Sequence, residues 1–412
     1  MILLKTLKTL KSLATLKTLK SLASLKTLRS LIILTLFVTS CERRPVFHLH
    51  RDQISLDFPL IEMELDVVWD YRFVYDIYYD WRSEWYYGDD PDLFGGYGEE
   101  AIGYHKPDVF ELRRYFTGDT QYAPHTKKKE FMVHGYQFTG EFEWGYHDLL
   151  LWNYLDPNDY DDVLSIIIDE SQTLDSVFAY TNGMNRNVHV PNKAAATRAH
   201  FQPEELFSAY ERGIEINRDL DGFEWDEERG VWVKTLSAVL QPMTYIYLTQ
   251  IILHNNDGRI VGVDGEADLS GMASSTNVNT GYTGSTPVPV NYKCNMKRHL
   301  NVEGEDVDII GGRLLTFGLC RMNGSLVTRG PIRDEEDADR HYIDCTFLFN
   351  NGSEKSMSFD VTDQVRTRFK GGVLTVHVDV SDIDIPDKTG GSGIDAVVED
   401  EKEETWEIPM GE

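Results

Sequence analysis

The chain has 412 residues, which is long enough for two domains, and a formal net charge of −28 at pH 7. Residues 1–40 hold seven Lys and Arg and no Asp or Glu, so the rest of the chain carries −35. Such acidity argues against nucleic acid as a partner, because nucleic-acid binding needs a basic face, and it favours a well-solvated surface.

Residues 1–40 predict a signal peptide of the lipoprotein type. An apolar run at 31–38, too short to span a membrane, follows a cationic segment, and the small residues Thr39 and Ser40 come just before Cys41. This order is typical of a lipobox, where the leader is cut and lipid is attached to the new N-terminal cysteine. We therefore predict that Cys41 is lipidated. A buried structural cysteine would explain none of these neighbours.

The start of the leader is repetitive. Leucine recurs at every third position from Leu4 to Leu31, with Lys, Thr, Ser or Ala between. A period of three belongs to neither a helix nor a strand. We interpret the segment as a repeat expansion or as a start codon placed too early. The alternative, a cationic amphipathic helix at a membrane surface, requires a period of 3.6.

The mature chain predicts a mainly β protein. After a short tether at 41–58, residues 60–67 alternate between apolar and acidic side chains. This alternation is typical of a strand with one solvent-exposed face. Residues 130–143 predict a strand broken at Gly135 or Gly140, and the apolar run 163–168 predicts a buried strand. Residues 106–116 suit a strand or a short helix, whereas 145–162 read as loop.

One helical turn stands out at 203–210. Pro203 would begin it, Glu204 and Glu205 would fill its first turn, and apolar residues follow. Elsewhere the turn-forming residues favour strands. Asn256-Asp257-Gly258 and Asn351-Gly352 predict hairpin turns, and residues 373–380 alternate after Gly371-Gly372.

Many short strands separated by turn residues indicate β-sandwich domains. We predict an N-terminal sandwich at 59–225, a C-terminal sandwich at 226–388 and an acidic tail at 389–412. Residues 405–410 in the tail alternate like a strand, which would pair back onto the protein or with another chain. The alternative is a disordered end.

Three cysteines remain after Cys41, namely Cys294, Cys320 and Cys345. Their gaps are wide and none lies in a Cys-x-x-Cys unit, so the spacing predicts no zinc site. An envelope location would permit one disulfide, but an odd number leaves one thiol over. We predict buried free thiols on strands.

The aromatic residues from Trp69 to Tyr87 have two interpretations. They would form a sugar-stacking platform if they lay on a rigid face beside Asp76, Asp80 and Glu84. Alternatively they pack on the core, which aromatic side chains favour, and we prefer this interpretation. The acidic turn at 156–162 lacks the glycine and distal glutamate of an EF-hand loop. No catalytic motif occurs, so we predict no enzyme activity, no cofactor and no metal site.

Six short stretches span most of the mature chain: Cys41-Glu42-Arg43-Arg44-Pro45, Val67-Val68-Trp69-Asp70, Phe207-Ser208-Ala209-Tyr210, Leu240-Gln241-Pro242-Met243-Thr244-Tyr245, Asp268-Leu269-Ser270-Gly271-Met272-Ala273 and Arg313-Leu314-Leu315-Thr316-Phe317-Gly318. In their residues and in their order they resemble the fimbrillin-like lipoproteins of the Bacteroidales and their minor-fimbria anchor proteins. The repetitive leader and the aromatic insert at 78–97 depart from the family.

The resemblance implies two tandem transthyretin-like β-sandwich domains in an outer-membrane lipoprotein, with no catalytic residues. It further implies an anchor or accessory subunit in fimbria assembly or adhesion, which meets fimbrillin-type subunits by strand exchange. Only Glu42 is acidic just after Cys41, so the leaflet stays open. The alternative function is a surface lipoprotein that binds carbohydrate through the aromatic residues from Trp69 to Tyr87.

Overall fold

The computed structural model describes residues 61–68, 81–121, 123–125, 127–156, 164–170, 173–191, 196–217, 219–228, 230–322 and 340–386. The described residues between 61 and 386 belong to one compact unit. The described part is dominated by strands, which confirms the prediction of a mainly β protein. The transthyretin-like topology and the domain boundaries stay predictions.

The strands, in chain order, are β1 (Ile61–Val68), β2 (Val109–Gly118), β3 (Lys127–His134), β4 (Gln137–Glu141), β5 (Gly145–Asn153), β6 (Ile166–Asp169), β7 (Phe178–Thr181), β8 (Gly183–Val188), β9 (Thr197–Phe201), β10 (Phe207–Ile216), β11 (Glu224–Asp226), β12 (Val231–Val239), β13 (Gln241–Pro242), β14 (Tyr245–His254), β15 (Ile260–Ala273), β16 (Ser275–Asn277), β17 (Pro287–Val302), β18 (Glu305–Thr316), β19 (Tyr342–Phe349), β20 (Glu354–Asp360) and β21 (Gly372–Asp379). The helices are short: α1 (Trp81–Glu84), α2 (Pro91–Phe94), α3 (Glu99–Ile102) and α4 (Thr362–Thr367).

The described strands form four sheets. A four-stranded sheet has the order β11-β12-β1-β4, a five-stranded sheet β13-β10-β5-β2-β3, and a three-stranded sheet β16-β7-β6. A nine-stranded sheet runs β20-β19-β15-β17-β18-β14-β21, with β9 on β17 and β8 on β9. The pairing of β1 with β12 is parallel and joins Ile61 to Trp232, so it connects segments far apart in the sequence.

The longest strand, β17, divides the nine-stranded sheet into two halves. Residues 287–293 of β17 pair with β15, and residues 294–302 pair with β18. Side chains of both halves meet in what we call the sandwich core, which includes Tyr247, Leu269 and Phe347, each completely or almost completely buried. The nine-stranded sheet is therefore a β-sandwich in its own right.

Strand β14 is buried on both faces. Tyr245 and Tyr247 face the sandwich core, whereas Ile246 and Leu248 face a second cluster, the shared core, which also includes Phe110. A strand covered on both sides reads as a continuous apolar run and not as an alternation. This explains the sequence of β14.

Strand β5 is the centre of the five-stranded sheet and is also covered on both faces. Leu149 and Leu151 belong to the shared core, and Leu150 and Trp152 belong to a third cluster, the lateral core. The prediction of a loop at 145–162 was therefore wrong over residues 145–153. Most of the rest, 157–162, lies outside the described residues.

The helical turn predicted at 203–210 was also wrong. Residues 207–210 begin strand β10, and Glu204 and Glu205 are buried. Glu204 accepts hydrogen bonds from the backbone N–H groups of Ser165 (2.5 Å) and Ile166 (2.8 Å), at the start of β6. Glu204, which the pattern assigned to a helix N-terminus, instead binds buried N–H groups at the start of a distant strand.

Three turns and breaks had mixed outcomes. Asn351 and Gly352 connect the paired strands β19 and β20, which confirms that hairpin, and the break at Gly135 between β3 and β4 is confirmed as well. The turn at 256–258 exists, with a positive φ at Asp257 and Gly258. However, it leads from β14 in one half of the sandwich to β15 in the other, so the predicted hairpin was wrong.

Two further strand predictions are refined by the structure. The alternation at 373–380 is confirmed as β21. The run at 163–168 contributes β6, which pairs with β7 alone among the described strands and leaves Ile167 54% exposed. The predicted buried strand is therefore an edge strand.

The three remaining cysteines are free and buried, as predicted. Cys294 lies on β17 and Cys345 on β19, whereas Cys320 lies in the turn after β18. Burial raises the pKa of Cys294 to about 12, with nearby carboxylates adding to the effect. Such thiols stay protonated and are poor nucleophiles.

Asp344 on β19 gives a testable pH dependence. It lies directly opposite Asp268 of β15, and its Oδ2 atom is buried without a hydrogen-bond partner in the described part of the chain. Burial raises the pKa of Asp344 to about 6 from 3.8, and Asp268 adds to the effect. Because the folded state holds the proton more tightly, the protein loses stability as pH rises from 3.8 through about 6.

We therefore expect Asp344→Asn to raise the free energy of unfolding at pH 7 by about 1–2 kcal/mol, since the amide carries no charge and still accepts from Ser358. Urea titrations at pH 4 and pH 7 measure this, with the exposed Glu354→Gln of β20 as the control. A variant less stable than the parent at pH 7 would contradict the assignment.

Candidate functional site

The predicted lipidation site, Cys41, lies outside the described residues, as do the tether at 41–58 and the tail at 389–412. Cys41 and the strand predicted at 405–410 therefore stay predictions. In the part of the chain that the structure describes, no helix is long and apolar enough to cross a membrane.

The described rings of the aromatic cluster are packed inside the protein. Trp81, Trp85 and Tyr87 are 6%, 8% and 1% exposed, and they belong to the shared core. The Tyr87 ring lies against Gly311 of β18, where a Cβ atom would overlap it. These rings cover the nine-stranded sheet, as the preferred interpretation of the cluster holds. Residues 69–80 lie outside the described ranges.

Polar side chains fix this aromatic segment to the nine-stranded sheet. The buried Gln250 of β14 donates from Nε2 to the carbonyl oxygen of Glu84 (2.6 Å) and accepts at Oε1 from the N–H of Tyr86 (2.9 Å). Lys297 of β17 donates to the carbonyl oxygen of Tyr87 (3.2 Å), and its ammonium group lies 4.2 Å from the centre of that ring. The segment is thereby held by both its backbone and its rings.

A largely buried ion pair holds residues 102–105, which follow the aromatic segment in the chain. Arg313 of β18 donates from Nη2 to Oε1 of Glu205 (2.8 Å) and also binds the carbonyl oxygens of Ile102 and Gly103. The N–H of His105 donates to Oε2 of Glu205 (2.6 Å). Burial opposes ionisation of Glu205, but the His105 hydrogen bond and the Arg313 charge outweigh it and lower its pKa.

The stretches that carry the family resemblance meet in one place. Four of them lie in well-described parts of the chain, at 207–210, 240–245, 268–273 and 313–318. The first two form a ladder, with Phe207 opposite Pro242 and Ser208 opposite Gln241. Next to this ladder, the N–H of Leu206 donates to Oγ1 of Thr244 (3.0 Å).

The other two stretches join the same group. Tyr245 lies opposite Thr316 in the ladder between β14 and β18, and the N–H of Ala273 donates to the carbonyl oxygen of Gly318 (2.9 Å). We call these four stretches the motif junction. It connects the five-stranded sheet to both halves of the nine-stranded sheet, so its residue types are set by backbone pairing and close packing.

A separate cleft of about 530 Å³ opens on the five-stranded sheet, on the side of the lateral core. Its floor is a row of side chains across neighbouring strands: Lys128 of β3 lies opposite Tyr115 of β2, which lies opposite Asp148 of β5. The register of β5 with β10 shifts at this point, which places Arg212 beside Asp148 in a β-bulge. Such bulges re-aim side chains.

Two hydrogen bonds organise the cleft. The carboxylate of Asp148, which is 3% exposed, accepts from the bulge N–H of Gly213 at Oδ1 (2.7 Å) and contacts Nε2 of His125 at Oδ2 (2.8 Å). Gly213 has φ of +68°, and a Cβ there would overlap Gln121, so the bulge needs glycine. The His125 ring lies 5.0 Å from the Tyr115 ring.

The cleft presents two phenol groups and one free guanidinium. Tyr115 and Tyr210 line it, and within the described ranges neither hydroxyl has a hydrogen-bond partner. Burial raises the pKa of both, that of Tyr210 to about 12, so both hydroxyls stay protonated at neutral pH. Arg212 is exposed and has no ion-pair partner among the described side chains, whereas Lys127 and Lys128 are paired with glutamates.

Sequence reasoning missed the cleft because its residues are scattered between 115 and 212 and form no local motif. The sole hint in the sequence is an isolated Arg-Gly pair inside the polar-apolar pattern of β10, where a glycine indicates a bulge.

No protein-family model matches the chain, and no curated protein matches it. Solved structures that align with this chain include a candidate adhesin from Bacteroides ovatus. It has 12% sequence identity and a TM-score of 0.42, and the alignment covers 80% of this chain and 95% of that one. A candidate adhesin from Bacteroides thetaiotaomicron has 10% identity and a TM-score of 0.41, over 79% and 93%.

A third is the fimbrial anchor protein Mfa2 from Porphyromonas gingivalis, at 10% identity and a TM-score of 0.35, over 77% of this chain and 90% of that one. These structural neighbours are two candidate adhesins and one fimbrial anchor protein. All three TM-scores lie below 0.5.

Proposed function

We propose that this chain is a lipid-anchored cell-envelope protein that serves as an anchor or accessory subunit in the assembly of a fimbria or in adhesion. Cys41 is the anchor, in one leaflet of the outer membrane. The role is structural and involves no catalysis or cofactor. The observation that carries the proposal is the motif junction, because four stretches chosen from the sequence alone come together there in space.

The lipobox supports the location. Its apolar run, small residues and cysteine separate a cationic leader from an acidic mature chain, which is the order that membrane export and lipid attachment require. A cysteine carrying two or three acyl chains holds a protein at a membrane stably, whereas a single chain does not.

An open sheet edge supports assembly by strand pairing. At one edge of the nine-stranded sheet, β20 pairs with β19 alone among the described strands. The other edge, β21, is already covered at Thr375, where Gln364 of α4 binds both the N–H and the carbonyl oxygen (2.8 Å each). An unpaired edge accepts an extended segment through main-chain hydrogen bonds. We propose that residues 405–410, or a strand of a fimbrillin-type subunit, fill such an edge.

The alternative of carbohydrate binding from Trp69 to Tyr87 gains no support, since Trp81, Trp85 and Tyr87 are buried and Tyr86 is half-buried against the same core.

The test is purification from membranes in mild detergent. The full chain is expected to bring a fimbrillin-type subunit with it, and a chain lacking residues 394–412 is expected to lose that subunit while staying in the membrane fraction. A chain lacking residues 2–24 of the repetitive segment, but keeping Lys26, Arg29, the apolar run and Cys41, serves as the control and should retain the partner. Purification of the full chain without any fimbrial subunit would contradict the proposal.

A further inference from the structure

We propose that the cleft beside the bulge of β10 binds an acidic sugar, a saccharide ring that bears a carboxylate. The site would use Arg212, Tyr115, Tyr210 and His125 as its polar contacts. This goes beyond the proposed function and rests on the cleft alone.

The charge of the cleft points to one carboxylate. In a chain with a net charge of −28, Arg212 is an exposed guanidinium without an ion-pair partner in the described residues, and it lines a defined cavity. A guanidinium binds a carboxylate with two parallel hydrogen bonds. Phosphate-rich ligands fit less well, since Lys127 and Lys128 are already paired with Glu143, Glu130 and Glu170.

The acids of the cleft do not cancel this preference. Asp148 is buried beneath His125 and the N–H of Gly213, which occupy both of its oxygens. Asp175, in the turn Leu174–Ser176, also lines the cleft and is exposed, so it disfavours an anion beside it. Because Arg212 and Asp175 carry opposite charges, a ligand with a single carboxylate is expected to place that group at Arg212.

The remaining lining suits a ring with several hydroxyl groups. The hydroxyls of Tyr115 and Tyr210 are protonated and without partners among the described residues, so each is able to donate and accept one hydrogen bond. The aromatic rings of Tyr210 and His125 offer apolar faces for sugar C–H groups. A volume of about 530 Å³ lies within the usual size of small-molecule sites.

The site is prepared before any ligand arrives. The hydrogen bond between His125 and Asp148 fixes the imidazole, and the bond from Gly213 to Asp148 fixes the bulge that carries Arg212. Both contacts end on one carboxylate that is almost fully buried. Such fixed contacts reduce the entropy lost on binding.

The experiment is saturation-transfer NMR on the full chain in mild detergent, with glucuronic acid, galacturonic acid and N-acetylneuraminic acid as probes and glucose and galactose as neutral partners. We expect at least one acid to bind with a Kd below about 10 mM, and we expect glucose and galactose to bind about tenfold more weakly than glucuronic acid and galacturonic acid respectively.

Variants assign the contacts. Arg212→Gln is expected to weaken binding of the acidic sugar about tenfold, because it removes a charged hydrogen bond. Tyr210→Phe is expected to weaken binding about threefold, because it removes a neutral one. Arg366→Gln in α4, outside the cleft, serves as the matched control and should leave binding unchanged. Both cleft variants should keep the parent's circular dichroism, since Arg212 is exposed and the Tyr210 hydroxyl has no partner within the described ranges.

Three results would overturn the inference: none of the acids binds, a neutral sugar binds as well as its acid, or Arg212→Gln binds as the parent does. Co-purification of a fimbrial subunit is measured separately, and the two outcomes do not depend on each other.

Discussion

Trp85→Ala is expected to lower the free energy of unfolding by about 3–5 kcal/mol, the usual cost of removing a large buried aromatic side chain. Trp85 is 8% exposed, and its ring lies 5.5 Å from that of Tyr87 and 6.5 Å from that of Phe94. Its indole N–H donates to the carbonyl oxygen of Gly88 (3.2 Å). Truncation would remove the packing of the aromatic segment against the nine-stranded sheet.

The measurement is urea titration followed by circular dichroism, with Trp225→Ala as the matched control. Trp225 is 48% exposed on β11 and contacts Trp232 directly across the strand pair. A cross-strand pair of this kind contributes about 1 kcal/mol or less. If Trp85→Ala kept the parent's stability and lost binding to a glycan, the aromatic segment would be a binding platform and not a part of the core.

Glu205→Ala is expected to cost a similar amount, about 3–5 kcal/mol, because it leaves the guanidinium of Arg313 buried without its carboxylate. The two side chains are 10% and 14% exposed. Removal of Glu205 also deprives the N–H of His105 of its acceptor. The variant would therefore lose the contacts that join residues 102–105 to Glu205, just before β10, and to Arg313 of β18.

The pH dependence of the same variant gives a second readout. The pKa of Glu205 is lowered from 4.5, so its contribution is present above pH 4.5 and is lost as pH falls through the lowered value. The pKa of His105 is raised from 6.5, chiefly by its hydrogen bond to Glu205, so its contribution is present below pH 6.5 and is lost as pH rises through the raised value.

The pair therefore stabilises most between pH 4.5 and 6.5, and Glu205→Ala should remove that maximum. Glu224→Ala on β11, which is exposed, should change neither the stability nor its pH profile by more than about 0.5 kcal/mol. Equal losses in the two variants would mean that the ion pair contributes nothing specific.

The sequence predicted strands best where one face meets the core and the other meets water. Such strands alternate, as β21 does at Leu374, Thr375 and Val376, and glycine marks their ends. It failed at β5, whose two faces are both covered. There Leu149, Leu150 and Leu151 follow the polar pair His147-Asp148, and no period is visible because every side chain from His147 to Asn153 is buried.

Long-range pairing explains the other errors. The acids Glu204 and Glu205 look like helix N-terminal residues until the N–H groups of β6 and the guanidinium of Arg313 are placed beside them. The turn at 256–258 has hairpin chemistry, yet β14 finds better partners in β18 and β21. The cleft joins residues from four strands and two connecting segments, which only the sheet register brings together.

The most direct measurement is the mass of the N-terminal peptide of the protein extracted from native membranes. The central claim is that lipid on Cys41 anchors the chain to a membrane. It predicts that the first residue is Cys41 carrying two or three acyl chains, with every leader residue removed. An unmodified Cys41 still preceded by Ser40 and the apolar run would contradict the anchor and, with it, the proposed place of this protein in the cell envelope.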